Sequence, residues 1–139
     1  MESKDCGILL KQINDHIAQR ANHALRENDL TLSQLRYLEY LDGKADVPFK
    51  ELERHFQVSQ PTVAGILARL AGKGLIDTAL VPGSNAKTAS LTGKGETELR
   101  KAVSERNKTE ESLLSPLSPD ERITFRMLLN KIAARMDRP

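Results

Sequence analysis

Apolar residues recur every four positions through the first strong segment of the chain, from Gly7 to about Glu27. Leu9, Ile13, Ile17, Ala21 and Leu25 form the series, and Lys11, Asp15, Gln19 and Arg26 lie between them. That spacing predicts a long amphipathic helix with one inward stripe. A second helix is announced by Thr31-Leu32-Ser33-Gln34, a capping box in which Thr31 is the N-cap and Gln34 reaches back to it. Leu30 and Leu35 take the hydrophobic-staple positions on either side, Leu35, Leu38 and Leu41 continue the stripe, and Gly43 supplies a stop.

Val47-Pro48 interrupts the pattern before a short helix with Phe49, Leu52 and Phe56 on one face, Pro48 being tolerated in its first turn. After the link His55-Phe56-Gln57-Val58, Ser59 caps a further helix with Pro61 in its first turn. Val63, Ile66, Leu67 and Leu70 stand at i, i+3, i+4 and i+7, and Gly72 and Gly74 bracket the end. Two short helices joined by about four residues predict a helix-turn-helix. Leu75 to Val81 reads as a strand, Pro82-Gly83-Ser84-Asn85 as a turn and Lys87 to Leu91 as the returning strand, together a β-hairpin. Thr92 then caps a long polar helix from about Lys94 to Leu114, anchored sparsely by Leu99, Val103 and Leu113. Ser115-Pro116-Leu117 breaks it, and Ser118-Pro119-Asp120-Glu121 is a second capping box. The last helix carries Ile123, Phe125, Leu128, Leu129, Ile132 and Met136, apolar around more of its circumference than a lone surface helix needs. One small core cannot bury both terminal helices, so a second chain is expected to cover them, an intramolecular bundle being the other arrangement.

Composition narrows the class. The chain has 139 residues, 39% apolar, 29% charged and 4% aromatic, with no Trp. This suffices for one modest core but not for a Rossmann or barrel enzyme. No run approaches the roughly 18 apolar residues of a membrane span. Met1-Glu2-Ser3-Lys4-Asp5 lacks the basic-then-apolar order of a signal peptide, so the chain reads as cytoplasmic with no membrane partner. A single cysteine, Cys6, excludes an intramolecular disulfide framework and a Cys-based zinc site. Net charge is only +2, yet residues 1–53 hold seven Lys/Arg against ten Asp/Glu while residues 54–139 hold fourteen against nine. A near-neutral protein with that asymmetry can still present a basic face to nucleic acid.

At the hairpin the sequence words become specific. Leu30-Thr31-x-x-Gln34, Glu51-Leu52, Val58-Ser59-Gln60-Pro61-Thr62-Val63, Arg69-Leu70, Lys73-Gly74-Leu75-Ile76 and Leu91-Thr92-x-Lys94-Gly95 occur in that order. Together they resemble the MarR family of winged helix-turn-helix transcriptional regulators, and the resemblance covers nearly the whole chain. It implies a mainly α fold with a small β-hairpin wing, in one domain over residues 1–139. A winged-helix DNA-binding lobe would occupy about 30–92, flanked by a helical dimerisation region over 1–29 and 93–139. It also implies a homodimer joined by its terminal helices, acting as a repressor on palindromic operators in double-stranded DNA. A small-molecule effector, often phenolic or lipophilic, would bind between the dimerisation helices and the lobe and release the protein from DNA.

The Ser59 helix is the presumptive reader in that scheme. Its inward stripe turns Pro61, Ala64, Gly65 and Ala68 outward, with Thr62 and Arg69 on the flank. Small outward residues suit close approach to a surface; by patterning alone that surface is either a groove of DNA or another helix, and the resemblance selects DNA. Ser59, Thr62 and the free N–H groups of the first turn suit phosphates, and Gln60 suits a base edge. Arg69 matches the family's frequent Arg before Leu and is the first candidate for a phosphate contact. Lys50, Arg54 and Lys73 are weaker candidates that read equally well as solvated charges. The wing departs from the family, whose tip commonly carries an Asp-Arg or Asp-Lys-Arg element. Here Gly83-Ser84-Asn85-Ala86-Lys87 has neither Asp nor Arg, and Thr78 replaces a customary Arg. Asn85 or Lys87 remains to donate in a minor groove, without the combined charge and reach of Arg.

Other chemistry finds little footing. Cys6 sits at the start of the first helix, and one branch of the family senses hydroperoxides through a cysteine near this region. The first helix has no tyrosine, however, and we read Cys6 as inert rather than redox-active. His16, His23 and His55 are too dispersed for a metal site. His16 and Tyr37 are candidate ligand contacts, core packing being the competing role. No nucleophile–base pattern or phosphate loop is present, and no cofactor is implied, so the chain reads as a regulator rather than an enzyme. The alternative is a winged-helix protein-interaction module, or a weak non-specific DNA binder with a degenerate wing.

Overall fold

The computed structural model describes residues 3–27 and 29–136. Asn28 and the outermost residues of both terminal segments, Met1, Glu2 and 137–139, lie outside the described residues. Helix α1 (Cys6–Arg26) starts one residue before the expected Gly7, capped by the Asp5 carboxylate, which accepts from the Ile8 N–H at 2.8 Å. Helix α2 (Leu32–Leu41) opens on the expected capping box. The Gln34 N–H donates to Thr31 Oγ1 at 3.1 Å, and the Thr31 N–H donates to Gln34 Oε1 at 3.3 Å. Leu30 and Leu35 are buried beside it, and Gly43, at φ +75°, follows the helix end in a conformation that costs a glycine little.

Val47–Pro48 is more than a break. It forms a short strand, β1, antiparallel to the returning hairpin strand, with Val47 opposite Ala89 and Pro48 opposite Thr88. The expected two-stranded wing is therefore part of a three-stranded sheet. Its order is β1-β3-β2, with β2 spanning Ile76–Leu80 and β3 spanning Lys87–Leu91. Proline is admissible at β1 because an edge strand has N–H groups to spare. Ser90 Oγ accepts from the Asp46 N–H at 2.8 Å and pins the chain where it enters β1.

Helix α3 (Phe49–Phe56) runs through His55 and Phe56, leaving Gln57-Val58-Ser59 as the turn. Gln57 adopts a left-handed conformation at φ 54° and donates its N–H to Glu53 O, while the Val58 N–H also reaches Glu53 O, at 3.1 Å. Helix α4 (Gln60–Gly72) follows, then β2 and β3, helix α5 (Gly93–Leu113) and helix α6 (Pro119–Met136).

The core is continuous from the C-terminal part of α1 to the N-terminal part of α5. Leu25, Leu38, Leu52, Val63, Leu67, Leu70, Ile76, Ala89, Leu99 and Ala102 belong to one buried cluster. Packing therefore crosses residue 92, and the lobe is closed on one side by the first turns of α5. Gly95 explains how α5 comes so close: a Cβ there would lie 2.0 Å from the Leu75 carbonyl oxygen. Only glycine fits such an approach.

The terminal helices contrast with this interior. Ala21 and Leu25 are buried, but Leu9 and Ile13 of the same stripe are exposed, as are Ile8 and Leu10. On α6 no residue is buried, and Ile123, Met127, Leu128, Leu129, Ile132 and Met136 face outward, Ile132 being 60% exposed. Helix α6 is held at its start by its capping box, in which Glu121 accepts from the Ser118 N–H at 2.9 Å. Arg122 Nε adds bonds to the carbonyls of Leu114 and Leu117. Among the described residues no helix is long and apolar enough to cross a membrane.

Candidate nucleic-acid interface

The outward face of α4 is built by its start and its stripe. Ser59 Oγ accepts from the Thr62 N–H at 3.4 Å and lies 3.0 Å from Thr62 Oγ1, so the two hydroxyls stand together at the helix N-terminus. Val63, Leu67 and Leu70 are buried, which fixes the rotation of the helix. Gln60, Pro61, Thr62, Gly65, Ala68 and Arg69 are consequently exposed. Two expected positions differ in degree: Ala64 is half-buried rather than outward, and Ile66 is half-buried rather than in the core. Both sit at the boundary between stripe and face, where a 3.6-residue period leaves no sharp edge.

Lys50 and Arg54 are exposed one turn apart on α3, and Arg69 is exposed on α4 with no ion pair among the described residues. Lys73 is different: its side chain is only 26% exposed and its ammonium is turned inward. On the wing, Leu80 pairs with Lys87, and the Val81 N–H donates to Ala86 O at 2.9 Å. The tip is then Pro82-Gly83-Ser84-Asn85, with Gly83 at φ +74°. Asn85 and Lys87 are exposed there, together with the apolar pair Leu80 and Val81, Leu80 being 62% exposed.

The structure does not bring His16 and Tyr37 together. His16 is exposed on α1, whereas Tyr37 is buried and stacks on Phe56 with ring centroids 4.2 Å apart and planes 11° apart. Burial raises the Tyr37 hydroxyl above its ordinary pKa. Neither residue lines the cleft between α2 and α5, a cavity of about 600 Å³ bordered by Glu39, Leu99, Arg100, Val103, Arg106 and Lys108. Two of its lining residues, Arg106 and Glu39, pair at 2.5 Å and join the two helices. Sequence periodicity gave no hint of that pair, because its partners are 67 positions apart. Cys6 is exposed, as is His23, while His55 stacks against Tyr40 and Phe56. No group of three or more His, Cys, Asp and Glu side chains converges among the described residues.

A family model described as the MarR family matches residues 28–84, from the α1–α2 junction through the helix-turn-helix into the wing. The whole backbone agrees with it: the crystal structure of MarR superposes with a TM-score of 0.86 at 23% identity, over 98% of this chain and 93% of that one. Residues 28–84 thus match the MarR family, and the chain as a whole has the winged-helix fold of the MarR structures. A probable transcriptional regulator from Pseudomonas aeruginosa is 28% identical, with a TM-score of 0.77 over 93% of this chain and 97% of its own. MepR of S. aureus, crystallised as a DNA complex, gives a TM-score of 0.82 at 24% identity, over 97% of this chain and all of that one. No curated protein matches the sequence. The family match runs into the Arg-less wing and ends at Ser84, before Asn85 and Lys87.

Proposed function

We propose that this protein is a sequence-specific DNA-binding transcriptional regulator that works as a homodimer and represses from a palindromic operator. The observation that carries the reading is the α4 face, exposed yet made of small or hydrogen-bonding residues and set at the second position of a helix-turn-helix. The likeness to MepR, solved on DNA, supports it. In this reading Gln60 addresses base edges. Pro61, Gly65 and Ala68, with Ala64 at the margin, allow close approach to the floor of the major groove. Ser59, Thr62 and the first-turn N–H groups hold phosphate, as do Arg69 and Lys50. Asn85 and Lys87 are the wing's minor-groove donors.

The exposed apolar faces of α6 and of the N-terminal half of α1 support dimerisation, because faces of this kind are covered in stable soluble proteins. A two-fold pair of α4 helices then meets half-sites about one turn apart, roughly 34 Å. The α2–α5 cleft is the effector site we favour over His16 and Tyr37. A ligand there touches α5, which leads toward the dimer helices, and α2, which packs in the lobe. Its occupancy would act by differential affinity for two spacings of the reading helices.

Fluorescence anisotropy on the upstream intergenic duplex of its own gene, beside a scrambled duplex and across salt, tests the reading. Preference for the native duplex and a steep loss of affinity with salt are expected. Equal weak binding to both duplexes would leave a non-specific binder. No binding at low salt would replace the regulator with a protein-interaction module, a reading favoured by the exposed Leu80 and Val81 of the wing.

A further inference from the structure

Lys73 follows Arg69 by four residues, at the α4 C-cap, so helical spacing sends both side chains to the same flank. A basic residue in that position reads as a second phosphate contact. The structure gives it another task. Its ammonium donates to the backbone carbonyl of Asp29 and, at 3.0 Å, to Gln34 Oε1, with Asp29 Oδ2 at 3.8 Å. Gln34 is itself buried and its Oε1 already accepts from the Thr31 N–H, so Lys73 is bonded into the capping box that starts α2.

The backbone of the same corner is held from the opposite side. The Lys73 carbonyl accepts from Lys94 Nζ at 2.9 Å. The Gly74 carbonyl accepts from Thr92 Oγ1 at 2.7 Å, and the Leu75 carbonyl accepts from the Thr92 N–H at 3.1 Å. Gly95 closes against Leu75 as described. The end of α4 is thus tied by one side chain to the α1–α2 junction and by three carbonyls to the start of α5. To reach a phosphate, Lys73 would have to leave both acceptors and detach the end of α4 from the capping box of α2, a costly exchange.

We infer that Lys73 is a positioning residue: it sets the orientation of the reading helix against the α1–α2 junction and thereby the separation of the two α4 helices in the dimer. The inference rests on the DNA-binding reading of α4. It places Lys73 outside the DNA contact set and makes half-site spacing, rather than base identity, the property it controls.

The test compares wild type, Lys73→Met, Lys73→Arg, Gln34→Met and Arg69→Ala as full-length proteins. Amide hydrogen exchange is measured first, without DNA. Exchange at residues 29–34 and 73–75 should quicken tenfold or more in Lys73→Met, quicken at 73–75 in Gln34→Met, and stay near wild type in Lys73→Arg and Arg69→Ala. Unchanged protection in Lys73→Met and Gln34→Met would overturn the inference. Operator binding is then measured against salt and on duplexes with half-sites moved one base pair closer or farther. Arg69→Ala should flatten the log–log salt slope by about 1.8, two phosphates at about 0.9 each. Lys73→Met should keep the wild-type slope and lose its preference for native spacing. A slope reduced as in Arg69→Ala would make Lys73 a phosphate contact and overturn the proposal. Should Lys73→Met fail to fold, Gln34→Met carries the same spacing and exchange predictions with a side chain distant from DNA. Failure of the wild type to bind any duplex would sink the regulator reading, while the exchange result would still decide whether Lys73 ties the corner.

Discussion

The helices of the lobe and the helices at the ends of the chain carry the same kind of apolar periodicity and resolve it differently. In α2 and α4 the stripe ends inside the molecule: Leu35, Leu38, Leu41, Val63, Leu67 and Leu70 are all buried. In α1 the stripe is buried only from Ala21 onward, and in α6 not at all. A period of 3.6 states that a face has to be covered; it does not state which chain covers it. The lobe's helices pack on one another and on the sheet, whereas among the described residues nothing buries the apolar side chains of α6, the face the proposed dimer would cover.

The largest expected effect breaks the lobe side of the contrast. Leu67→Ala removes fully buried volume and should cost about 2–5 kcal/mol in urea unfolding. The same truncation at Ile132 should leave the unfolding of dilute protein nearly unchanged. Next, charging the outer side, with Leu128→Glu and Ile132→Glu together, should raise the dimer dissociation constant at least a hundredfold, about 2.7 kcal/mol. Sedimentation velocity would show monomer with its helix content kept. An unchanged dimer would move the interface elsewhere.

Gly95→Ala tests the junction between the two regions. The added methyl meets the Leu75 carbonyl and the Leu91 side chain, so a loss of about 1–3 kcal/mol in thermal unfolding is expected. Arg69→Ala sharpens the comparison within the lobe. Fold stability should hold within about 0.5 kcal/mol, as for an exposed side chain, while operator affinity falls roughly tenfold.

The smallest effect is spectroscopic. Both tyrosines should ionise above the ordinary phenol range in an absorbance titration, Tyr37 through burial and Tyr40 through its 2.6 Å hydrogen bond to Glu51. Because the folded-state pKa is raised, the stability these groups contribute is complete below pH 10. It is lost as pH climbs through the folded values. Glu51→Gln should return Tyr40 toward ordinary behaviour and leave Tyr37 where it is.

Legibility followed the range of the interaction. Caps, stripes and the helix-turn-helix were readable because a cap acts across three residues and a stripe across one turn, so Thr31, Ser59, Thr92 and Ser118 stand where the sequence places them. The exposed face of α4 followed from the stripe by subtraction. Strand β1 escaped notice because two residues with a proline have no periodicity, and their partners are some forty positions away. Lys73 was misleading for the same reason: its helix directs it outward, and only Asp29 and Gln34, brought in from far along the chain, turn it inward.

Helix starts, the apolar side of each helix and the family resemblance were all legible along the chain, since these depend on neighbours within a turn or two. Tertiary structure decided the third strand, the Arg106–Glu39 link, the closeness of α5 to Leu75 and the task of Lys73. Each of those depends on two distant segments meeting in one place, and no local preference encodes a meeting; burial of the shared core imposes it.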